Sequence, residues 1–364
     1  MKKVLVCVGT RPNLIKITQL GKCFSKYPLE YKLLHTGQHY DYNMNDIFFQ
    51  QLGINAPDVF LNINQGSQIE VVSQIMQKFE EFILRYKPDL VMVPGDVNSS
   101  FACAFVASRH GIPVAHIESG LRSFDKSMPE EVNRILIDDV TELFFVTEPS
   151  GTENLIKENK KESAIHYVGN TMIDSLVAFT PIIDKSDIRK KLNLDDYCLV
   201  TFHRPANVDD YANLKVVAEI LVEIAKIRKV VFPIHPRTKK RFHEFGFEKV
   251  IENPNIIITD PLGYLDFISL VKNAKVVITD SGGVQEETTF LGVPCITLRK
   301  STERPVTVVQ GTNTMCELDV ESILDILRSI FNGTYKKGKV PKFWDGKSSE
   351  KIAKEVYEFL AAMK

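Results

Sequence analysis

The 364-residue sequence predicts an α/β protein of two domains, each built around a parallel β-sheet. Its length exceeds the roughly 250–300 residues that one hydrophobic core usually supports, so two domains are expected. Short runs rich in valine, isoleucine and leucine alternate with longer helical patterns, which is typical of βαβ units. Small or polar residues follow nearly every predicted strand, and parallel sheets bind ligands at these positions.

The alternation forms two series of predicted strands. The first lies at residues 3–8, 31–36, 90–94, 113–117, 143–146 and 165–168, and the second at residues 198–202, 229–234, 256–258, 275–279 and 294–298. We therefore predict an N-terminal domain at residues 1–172 and a C-terminal domain at residues 173–349. The last segment, residues 350–364, is predicted to be a helix whose apolar stripe must be buried elsewhere: Ile352, Val356, Phe359, Leu360 and Met363.

Charge and cysteine usage exclude several classes of protein. With 45 basic and 46 acidic residues the net charge is -1, so no nucleic-acid partner and no membrane surface are expected. The six scattered cysteines lack metal-ligand spacing and predict reduced core residues rather than a metal site. The first residues reach Gly9 and Arg11 too soon for a secretory signal, and no apolar run approaches the ~18 residues of a membrane span. A cytoplasmic protein is therefore expected.

The strand ends of the first series supply candidate acid/base groups. Asp96 and Glu118 directly follow buried strand patterns, where a charge is costly unless it is paired or used in chemistry. Arg11 and Lys16 lie at the first strand–helix turn. A cation there can add charge to an anion site, although a surface role fits both residues equally well.

Residues 116–134, HIESGLRSFDKSMPEEVNR, contain a predicted helix start. Ser127, followed three residues later by Glu130, predicts a capping box. On the helix that follows, the predicted buried face consists of Val132, Ile135 and Leu136. Glu130 and Arg134, four residues apart, share a different face. They are predicted either to form an exposed ion pair or to point together into a cleft.

The second series offers a candidate diphosphate cradle in DSGGVQEE, residues 280–287. Ser281, Gly282 and Gly283 lie between a strand and a helical pattern, where glycines let a ligand approach and the first helical amides attract phosphate. Glu287 can accept hydrogen bonds from vicinal ribose hydroxyls; the alternative is a tight turn with a solvated Glu287. Neither GxGxxG nor GxxxxGK[ST] follows a strand, so no dinucleotide cofactor and no P-loop are expected.

His203 follows the first predicted strand of the second series and precedes Arg204-Pro205, where the chain must turn. Such a histidine is either a satisfied structural residue or a functional group. The two rows of polar strand ends, facing one another, would form an interdomain cleft, and His203 would then face the first series.

Eight segments resemble the UDP-N-acetylglucosamine 2-epimerase family, in order across nearly the whole chain. They are GTRPNLIK at 9–16, GDVNSS at 95–100, HIESGLRS at 116–123, MPEEVNR at 128–134, GNTMID at 169–174, HRPANVDD at 203–210, TDSGGVQEE at 279–287 and TERP at 302–305. The resemblance implies a GT-B-type fold with two Rossmann-like domains around a deep cleft and the last helix packed on the first domain. It also implies a homodimer without a nicotinamide cofactor or metal.

The reaction that the resemblance implies is epimerisation at carbon 2 of the sugar of UDP-N-acetylglucosamine, which gives UDP-N-acetylmannosamine for cell-surface polysaccharide synthesis. A base removes the proton, UDP leaves by anti elimination to give 2-acetamidoglucal, and UDP adds again after protonation from the other face. By match to the family motifs, the acid/base candidates are Asp96, Glu118 and Glu130, and His203 would assist the leaving diphosphate. Phosphate-binding or carboxylate-orienting roles fall to Arg11, Lys16 and Arg134, and UDP-binding roles to Phe267, Ser281, Gly282, Gly283, Glu287 and Arg304.

The chain also departs from the commonest family pattern. Asn13 replaces an acidic residue, and GDVNSS replaces a threonine-rich run next to Asp96, so acceptance of a different sugar is an open alternative. Residues 64–68 lack the arginine–glutamine pair of members that their own substrate activates, although Gln38 and His39 are present. The alternatives are a 2-epimerase of a diacetamido uronate sugar nucleotide, a hydrolysing epimerase, a GT-B glycosyltransferase and a UDP-sugar-binding regulator. The three carboxylates argue against the last two.

Overall fold

A computed structural model of the chain describes residues 1–37, 55–64 and 66–363. The contacts divide it into two units: Met1–Ala178 together with Lys342–Lys364, and Phe179–Pro341. The division after Ala178 falls later than the predicted one after residue 172, inside the helix Thr171–Ile183. The chain rejoins the first unit at Lys342, ahead of the predicted residue 350. A continuous helical pattern carries no mark of such a division, which explains the offset.

In the described part of the first unit, seven parallel strands are ordered β3-β2-β1-β4-β5-β6-β7. Their bounds are β1 Lys2–Val8, β2 Leu29–His35, β3 Val59–Phe60, β4 Leu90–Pro94, β5 Val114–Ile117, β6 Leu143–Val146 and β7 Ile165–Tyr167. The six strands predicted in this part of the chain are confirmed to within two residues at each end. The edge strand β3 was not predicted, because two residues are too few to show a period of two.

Helices cover both faces of this sheet. Their bounds are Arg11–Ile17, Leu20–Phe24, Gln68–Tyr86, Asn98–Arg109, Pro129–Asp139, Pro149–Lys157, Thr171–Ile183 and Ser348–Ala362, with a 3₁₀ turn at Glu162–Ala164. Alternate β1 residues enter different apolar clusters: Val4 and Val6 pack in one, and Leu5 and Cys7 in the other. Because successive strand side chains point to opposite faces, both faces of the sheet are buried.

The last helix, Ser348–Ala362, belongs to the first unit. Ile352, Val356 and Leu360 of its apolar stripe are buried in the same cluster as Val4 and Val6. Phe359 and Met363 pack against that cluster from a partly buried position. The stripe therefore completes one face of the first sheet.

The described part of the second unit contains six parallel strands in the order β10-β9-β8-β11-β12-β13. Their bounds are β8 Tyr197–Thr201, β9 Lys229–Pro233, β10 Ile256–Thr259, β11 Val276–Thr279, β12 Cys295–Leu298 and β13 Asn313–Cys316. The helices are Ile188–Lys191, Pro205–Val208, Tyr211–Ile227, Pro236–Glu244, Glu248–Ile251, Tyr264–Asn273, Gly282–Leu291, Pro305–Val309 and Val320–Phe331. The five predicted strands are confirmed to within one residue, and β13 was missed because NTMC is not an apolar run.

All six cysteines are buried and free. Among residues 1–37, 55–64 and 66–363, no helix has both the length and the apolar character required to cross a membrane.

Candidate functional site

Strand register brings Asp96 and Glu118 to neighbouring positions at one edge of the first sheet. β4 and β5 are parallel neighbours, with Pro94 opposite Ile117, and the backbone N–H of Gly95 donates to the carbonyl of Ile117 at 2.9 Å. Glu118 directly follows β5, and Asp96 follows β4 after Gly95, so both carboxylates lie at the carboxyl edge where parallel sheets bind ligands.

Glu118 is buried and forms an ion pair with Lys16, whose Nζ donates to Oε2 of Glu118. Both side chains are more than nine-tenths buried, at 4% and 8% exposure. Glu118 also has a φ of +70°, a left-handed conformation that costs free energy in a residue with a side chain and that often marks functional sites. The charge of Lys16 compensates the buried carboxylate, as such a position requires.

Asp96 is held by Arg134, whose Nε donates to Oδ2 at 3.1 Å and whose Nη2 donates to the same oxygen. Arg134 also donates through Nη1 to Oε2 of Glu131 at 2.5 Å. The amide of Asn133 donates to the backbone carbonyl of Asp96 at 2.9 Å. The start of the helix Pro129–Asp139 therefore orients the strand end that carries Asp96.

Two predictions about this helix were wrong. Ser127 does not cap it: the N-cap is Met128, no side chain makes the cap hydrogen bond, and the Ser127 hydroxyl donates to Asp125 instead. The buried face is not the apolar one either, since Val132 and Leu136 are each 40% exposed. The buried face consists of Glu131, Asn133, Arg134, Ile137 and Asp138. The polar residues Asn133 and Arg134 on this face hydrogen-bond to Asp96 at the strand end. These tertiary contacts, rather than the apolar spacing, determine which face of the helix is buried.

Glu130 and Glu131 have opposite environments. Glu130 is exposed at the second position of the helix, so it does not share the buried face of Arg134. Glu131 is 1% exposed and accepts hydrogen bonds from the backbone N–H groups of Ser123 and Phe124 at 2.9 and 2.8 Å. The sequence does not distinguish the roles of two adjacent glutamates. Glu131 was therefore missed as the residue that fixes the loop containing Ser123 and Phe124.

The turn after β1 places Arg11 and Asn13 in different roles. Arg11 is half-buried at the first residue of the helix Arg11–Ile17, which also carries Lys16. Asn13 is buried, and its amide donates to the carbonyl of Pro94 at 3.0 Å. A carboxylate cannot donate this hydrogen bond, so Asn13 ties the helix Arg11–Ile17 to the end of β4 in a way that an acidic residue cannot.

In the second unit, register places His203 beside Asp280. β8 and β11 are neighbours with Thr201 opposite Thr279, and Nδ1 of His203 lies 2.8 Å from Oδ1 of Asp280. Burial alone would raise the pKa of the Asp280 carboxyl, but His203 and the backbone N–H of Arg204 more than offset it and leave that pKa lowered. An ionised Asp280 fixes the ring of His203, which is 44% exposed and accessible to a ligand.

The helix Gly282–Leu291 starts at the predicted diphosphate cradle. Ser281 is its N-cap without a side-chain cap hydrogen bond, and such a helix start suits an anion. A Cβ on Gly282 would lie 2.9 Å from Oε1 of Glu303 and 3.1 Å from Nη1 of Arg304. The guanidinium of Arg304 therefore lies close to this turn. At this position it can add positive charge to an anion site.

Buried ion pairs hold Arg304 in place. Its Nε lies 2.8 Å from Oε1 of Glu286 and its Nη1 pairs with Glu303, while Arg299 donates to Glu303 at 2.9 Å. All four side chains are at least nine-tenths buried, so each carboxylate has a cation beside it, as buried charges require.

Glu287 lies in an unusual electrostatic position. It is 5% exposed, and burial together with the charge of Glu286 raises its pKa to about 8, against the lowering effect of a hydrogen bond with Tyr264. Tyr264 opens the helix Tyr264–Asn273, on which Phe267 lies partly buried. Glu287 is therefore not a solvated surface carboxylate.

Gln38 and His39 lie outside the described residues. Within the ranges that the structure does describe, no group of three or more His, Cys, Asp and Glu side chains is arranged to hold a metal ion.

A family model described as UDP-N-acetylglucosamine 2-epimerase matches residues 22–356 of the chain. The UDP-N-acetylglucosamine 2-epimerase of Methanocaldococcus jannaschii is 41% identical over 360 residues, which cover 97% of this chain and 98% of the relative. The UDP-2,3-diacetamido-2,3-dideoxy-D-glucuronate 2-epimerase of Pseudomonas aeruginosa is 37% identical over 371 residues, which cover 99% and 100% of the two chains.

Similarity extends to solved structures. The crystal structure of the Methanocaldococcus jannaschii enzyme in complex with UDP-GlcNAc and UDP has a TM-score of 0.90 at 41% identity, covering 98% of this chain and 100% of that one. A glycosyltransferase from Rickettsia africae, 12% identical with a TM-score of 0.59, covers 100% and 99% and shares the fold alone. The predicted GT-B-type fold, with two parallel-sheet α/β domains, is confirmed.

Proposed function

Because this chain belongs to the UDP-N-acetylglucosamine 2-epimerase family, we propose that it interconverts UDP-N-acetylglucosamine and UDP-N-acetylmannosamine without hydrolysis. The observation that carries the proposal is the pairing of each strand-end carboxylate with its own cation: Glu118 with Lys16 and Asp96 with Arg134. Paired carboxylates at the ligand edge of a parallel sheet suit acid/base chemistry on a bound sugar. We further propose that the product supplies cell-surface polysaccharide synthesis.

The reaction needs proton transfer on both faces of the sugar. A base takes the proton from carbon 2, the electron pair forms the double bond between carbons 1 and 2, and the bond from carbon 1 to the diphosphate oxygen breaks. UDP then adds again to 2-acetamidoglucal after a proton arrives from the opposite face. The proton is weakly acidic, so its removal requires a positioned base and a stabilised leaving group. Two proton donors, one on each face, explain the need for more than one carboxylate.

In the first unit, we assign the proton transfers to Glu118 and Asp96, with Glu130 as the exposed third candidate. Arg11, together with Lys16 and Arg134, supplies positive charge for phosphate or orients the carboxylates. The buried pairing of Glu118 and the two hydrogen bonds from Arg134 to Asp96 support these assignments, because a fixed group transfers a proton more efficiently than a mobile one.

In the second unit, we assign UDP binding to the start of the helix Gly282–Leu291. Ser281, Gly282 and Gly283 present backbone amides to the diphosphate, Arg304 adds charge, and Glu287 accepts hydrogen bonds from the ribose. Phe267 packs on the uracil, and His203 assists departure of the diphosphate. The uncapped helix start and the proximity of Arg304 to Gly282 support these assignments.

Proton NMR in heavy water tests the proposal. The protein is incubated with UDP-N-acetylglucosamine, and the signal at carbon 2 is followed over time. We expect deuterium at carbon 2 and a manno product that remains attached to UDP. The absence of both deuterium and a manno product would contradict the proposal. Free N-acetylmannosamine would indicate a hydrolysing enzyme instead.

A second substrate has specific support. The Pseudomonas aeruginosa relative is named for a diacetamido glucuronate sugar and matches almost all of this chain. The same NMR assay with equal concentrations of the acetamido and the diacetamido uronate substrates compares them directly. A higher kcat/KM for the uronate would identify it as the preferred substrate in place of UDP-N-acetylglucosamine. The reaction class would remain the same.

Asp280→Asn is expected to lower the rate of deuterium incorporation at least about tenfold, because a displaced catalytic group costs rate even without loss of the group itself. The neutral amide loses the charge that fixes His203, whose Nδ1 lies 2.8 Å from Oδ1 of Asp280. The rate is measured by the same NMR assay, with UDP affinity from calorimetry. Asp260→Asn, at an exposed position of the same unit, is the control, and an unchanged rate in Asp280→Asn would contradict the role of His203.

We propose that the enzyme is a homodimer and that it resides in the cytoplasm. Val132, Leu136 and Phe105 are 39–40% exposed on two helices, Pro129–Asp139 and Asn98–Arg109, that pack together. An apolar surface of this kind suits a second copy of the chain. The six buried, free cysteines suit a reducing compartment.

Leu136→Glu is expected to convert a dimer to a monomer, because a charge in an apolar interface is desolvated without a partner. Light scattering coupled to gel filtration measures the mass of the wild type and the variant. Glu142→Gln, exposed in the same unit, is the control. A monomeric wild type, or a variant that remains dimeric, would contradict this interface.

A further inference from the structure

A buried histidine connects β5 to the turn after β4. His116 is fully buried, and its Nδ1 lies 2.6 Å from Oδ1 of Asp138. Its other ring nitrogen, Nε2, lies 3.0 Å from the backbone carbonyl oxygen of Gly95. Both nitrogens of the ring therefore face hydrogen-bond acceptors.

Asp138 is the centre of a wider network. Its Oδ2 accepts from the backbone N–H of Gly120 at 3.0 Å and pairs with Nη1 of Arg122 at 2.8 Å. Arg122 in turn donates from Nε and Nη2 to Glu158 at 2.8 and 2.6 Å. Burial alone would raise the pKa of the Asp138 carboxyl, but His116 and Arg122 more than offset it and leave that pKa lowered. Asp138 is therefore ionised.

These contacts hold the ring of His116 at two points. The Asp138 carboxylate and the Gly95 backbone carbonyl are both hydrogen-bond acceptors, so together they fix the position of the ring. Arg122 pairs with the buried Asp138 on one side and with the exposed Glu158 on the other, so the buried Asp138 carboxylate has a cation beside it.

The Gly95 carbonyl that His116 binds is part of the candidate active site. Gly95 has a φ of +63°, and a Cβ there would lie 2.9 Å from Nζ of Lys16 and 3.2 Å from Oε2 of Glu118. The same carbonyl belongs to the peptide group that joins Gly95 to Asp96. Because a peptide group is planar, holding its oxygen fixes the direction in which the chain enters Asp96.

We propose that His116 is a positioning residue for epimerisation: it holds the Gly95–Asp96 peptide against Asp138 and so keeps Asp96 and Glu118 in their catalytic positions. The inference rests on the proposed function, since it concerns the residues assigned there to proton transfer. His116 itself does not touch the substrate. Its effect is therefore on the chemical step rather than on UDP binding, because the peptide that it holds leads into Asp96 and not into a residue assigned to phosphate or UDP.

Two substitutions separate the two hydrogen bonds of the ring. In His116→Asn the amide nitrogen falls near the Nδ1 position and keeps a donor for Asp138, but the donor for Gly95 is lost. In His116→Gln the amide nitrogen falls near the Nε2 position and keeps a donor for Gly95. His110→Asn is the matched control, because it also breaks a histidine–carboxylate pair of the first unit, with Glu80 at 2.7 Å, at an exposed surface position.

The measurement is the rate of deuterium incorporation at carbon 2, with KM and the Kd of UDP. We expect His116→Asn to lower kcat at least about tenfold, with KM and Kd within about twofold of the wild type, because only transition-state geometry is lost. His116→Gln is expected to recover most of the loss, and His110→Asn to match the wild type. A purely structural role would lower the rate in both His116 variants equally, in proportion to their lost thermal stability.

The outcomes separate this inference from the proposed function. If the wild type shows no exchange, the proposed function fails. If the wild type exchanges and His116→Asn matches it, or both variants lose the same rate, the positioning role of His116 is overturned.

Discussion

Replacing Glu118 with glutamine is expected to lower the rate of deuterium incorporation at carbon 2 by about 1000-fold, because a positioned acid/base group contributes about 10²–10⁴ to a rate and an amide cannot accept the proton. Glu118 is buried, lies at the ligand edge of the first sheet and is held by Lys16. UDP affinity should remain near that of the wild type. Exchange is measured by NMR, and UDP binding by calorimetry.

The ion pair dictates the control for this experiment. Glu118→Gln leaves Lys16 as a buried charge without its carboxylate, and breaking a buried pair from one side typically costs about 3–5 kcal/mol of stability. The double variant Lys16→Met with Glu118→Gln removes both charges and should recover stability without recovering exchange. Glu142→Gln, an exposed carboxylate of the same unit, should behave as the wild type. Retained exchange in the folded double variant would remove Glu118 from the mechanism.

The strands and the residues at their ends were largely predictable from the sequence. A buried parallel strand shows as a short apolar run, and a charged or small residue directly after it marks the ligand edge. The positions of Asp96, Glu118 and His203 at strand ends follow from this local pattern alone. The short strand β3 and the polar strand β13, by contrast, gave no apolar run to recognise.

The helix Pro129–Asp139 shows where local patterns fail. Apolar spacing predicted Val132 and Leu136 on the buried face, but both are exposed, and the buried face carries Glu131, Arg134 and Asp138. The partners of these charged residues are distant in sequence: Asp96 precedes Arg134 by 38 residues. Helical periodicity reports only which residues share a face, and the partner across the face is set by tertiary packing.

Ion pairing was likewise beyond the reach of the sequence. Lys16 and Glu118 are 102 residues apart, and the sequence left Lys16 equally suited to a surface position. Their contact depends on the neighbouring positions of β1, β4 and β5 in the sheet. The motif match suggested that both residues are functional, whereas their pairing required the fold.

Glu287→Gln is expected to become about 2 kcal/mol more stable relative to the wild type as the pH rises from about 6 to about 8. In the folded protein, burial and the charge of Glu286 raise the pKa of Glu287 to about 8, whereas in the unfolded chain the carboxyl keeps its ordinary value near 4.5. Between these two values the unfolded chain has lost the proton and the folded protein still holds it. The free energy of unfolding of the wild type therefore falls with rising pH, by about 1.4 kcal/mol for each pH unit.

Glutamine cannot titrate, so the variant lacks this dependence while it retains a hydrogen-bonding group near Tyr264. Urea unfolding of both proteins at each pH, followed by a probe in the second unit, gives the difference in free energy. Glu252→Gln, at an exposed position of the same unit, removes a carboxylate in solvent and should change little with pH. The difference between Glu287→Gln and the wild type should be constant below about pH 4 and again well above pH 8, where both states of Glu287 carry the same charge. A constant difference across the whole range would mean that Glu287 is ionised in the folded protein. Glu287 would then bind the ribose as a carboxylate rather than as a neutral carboxyl.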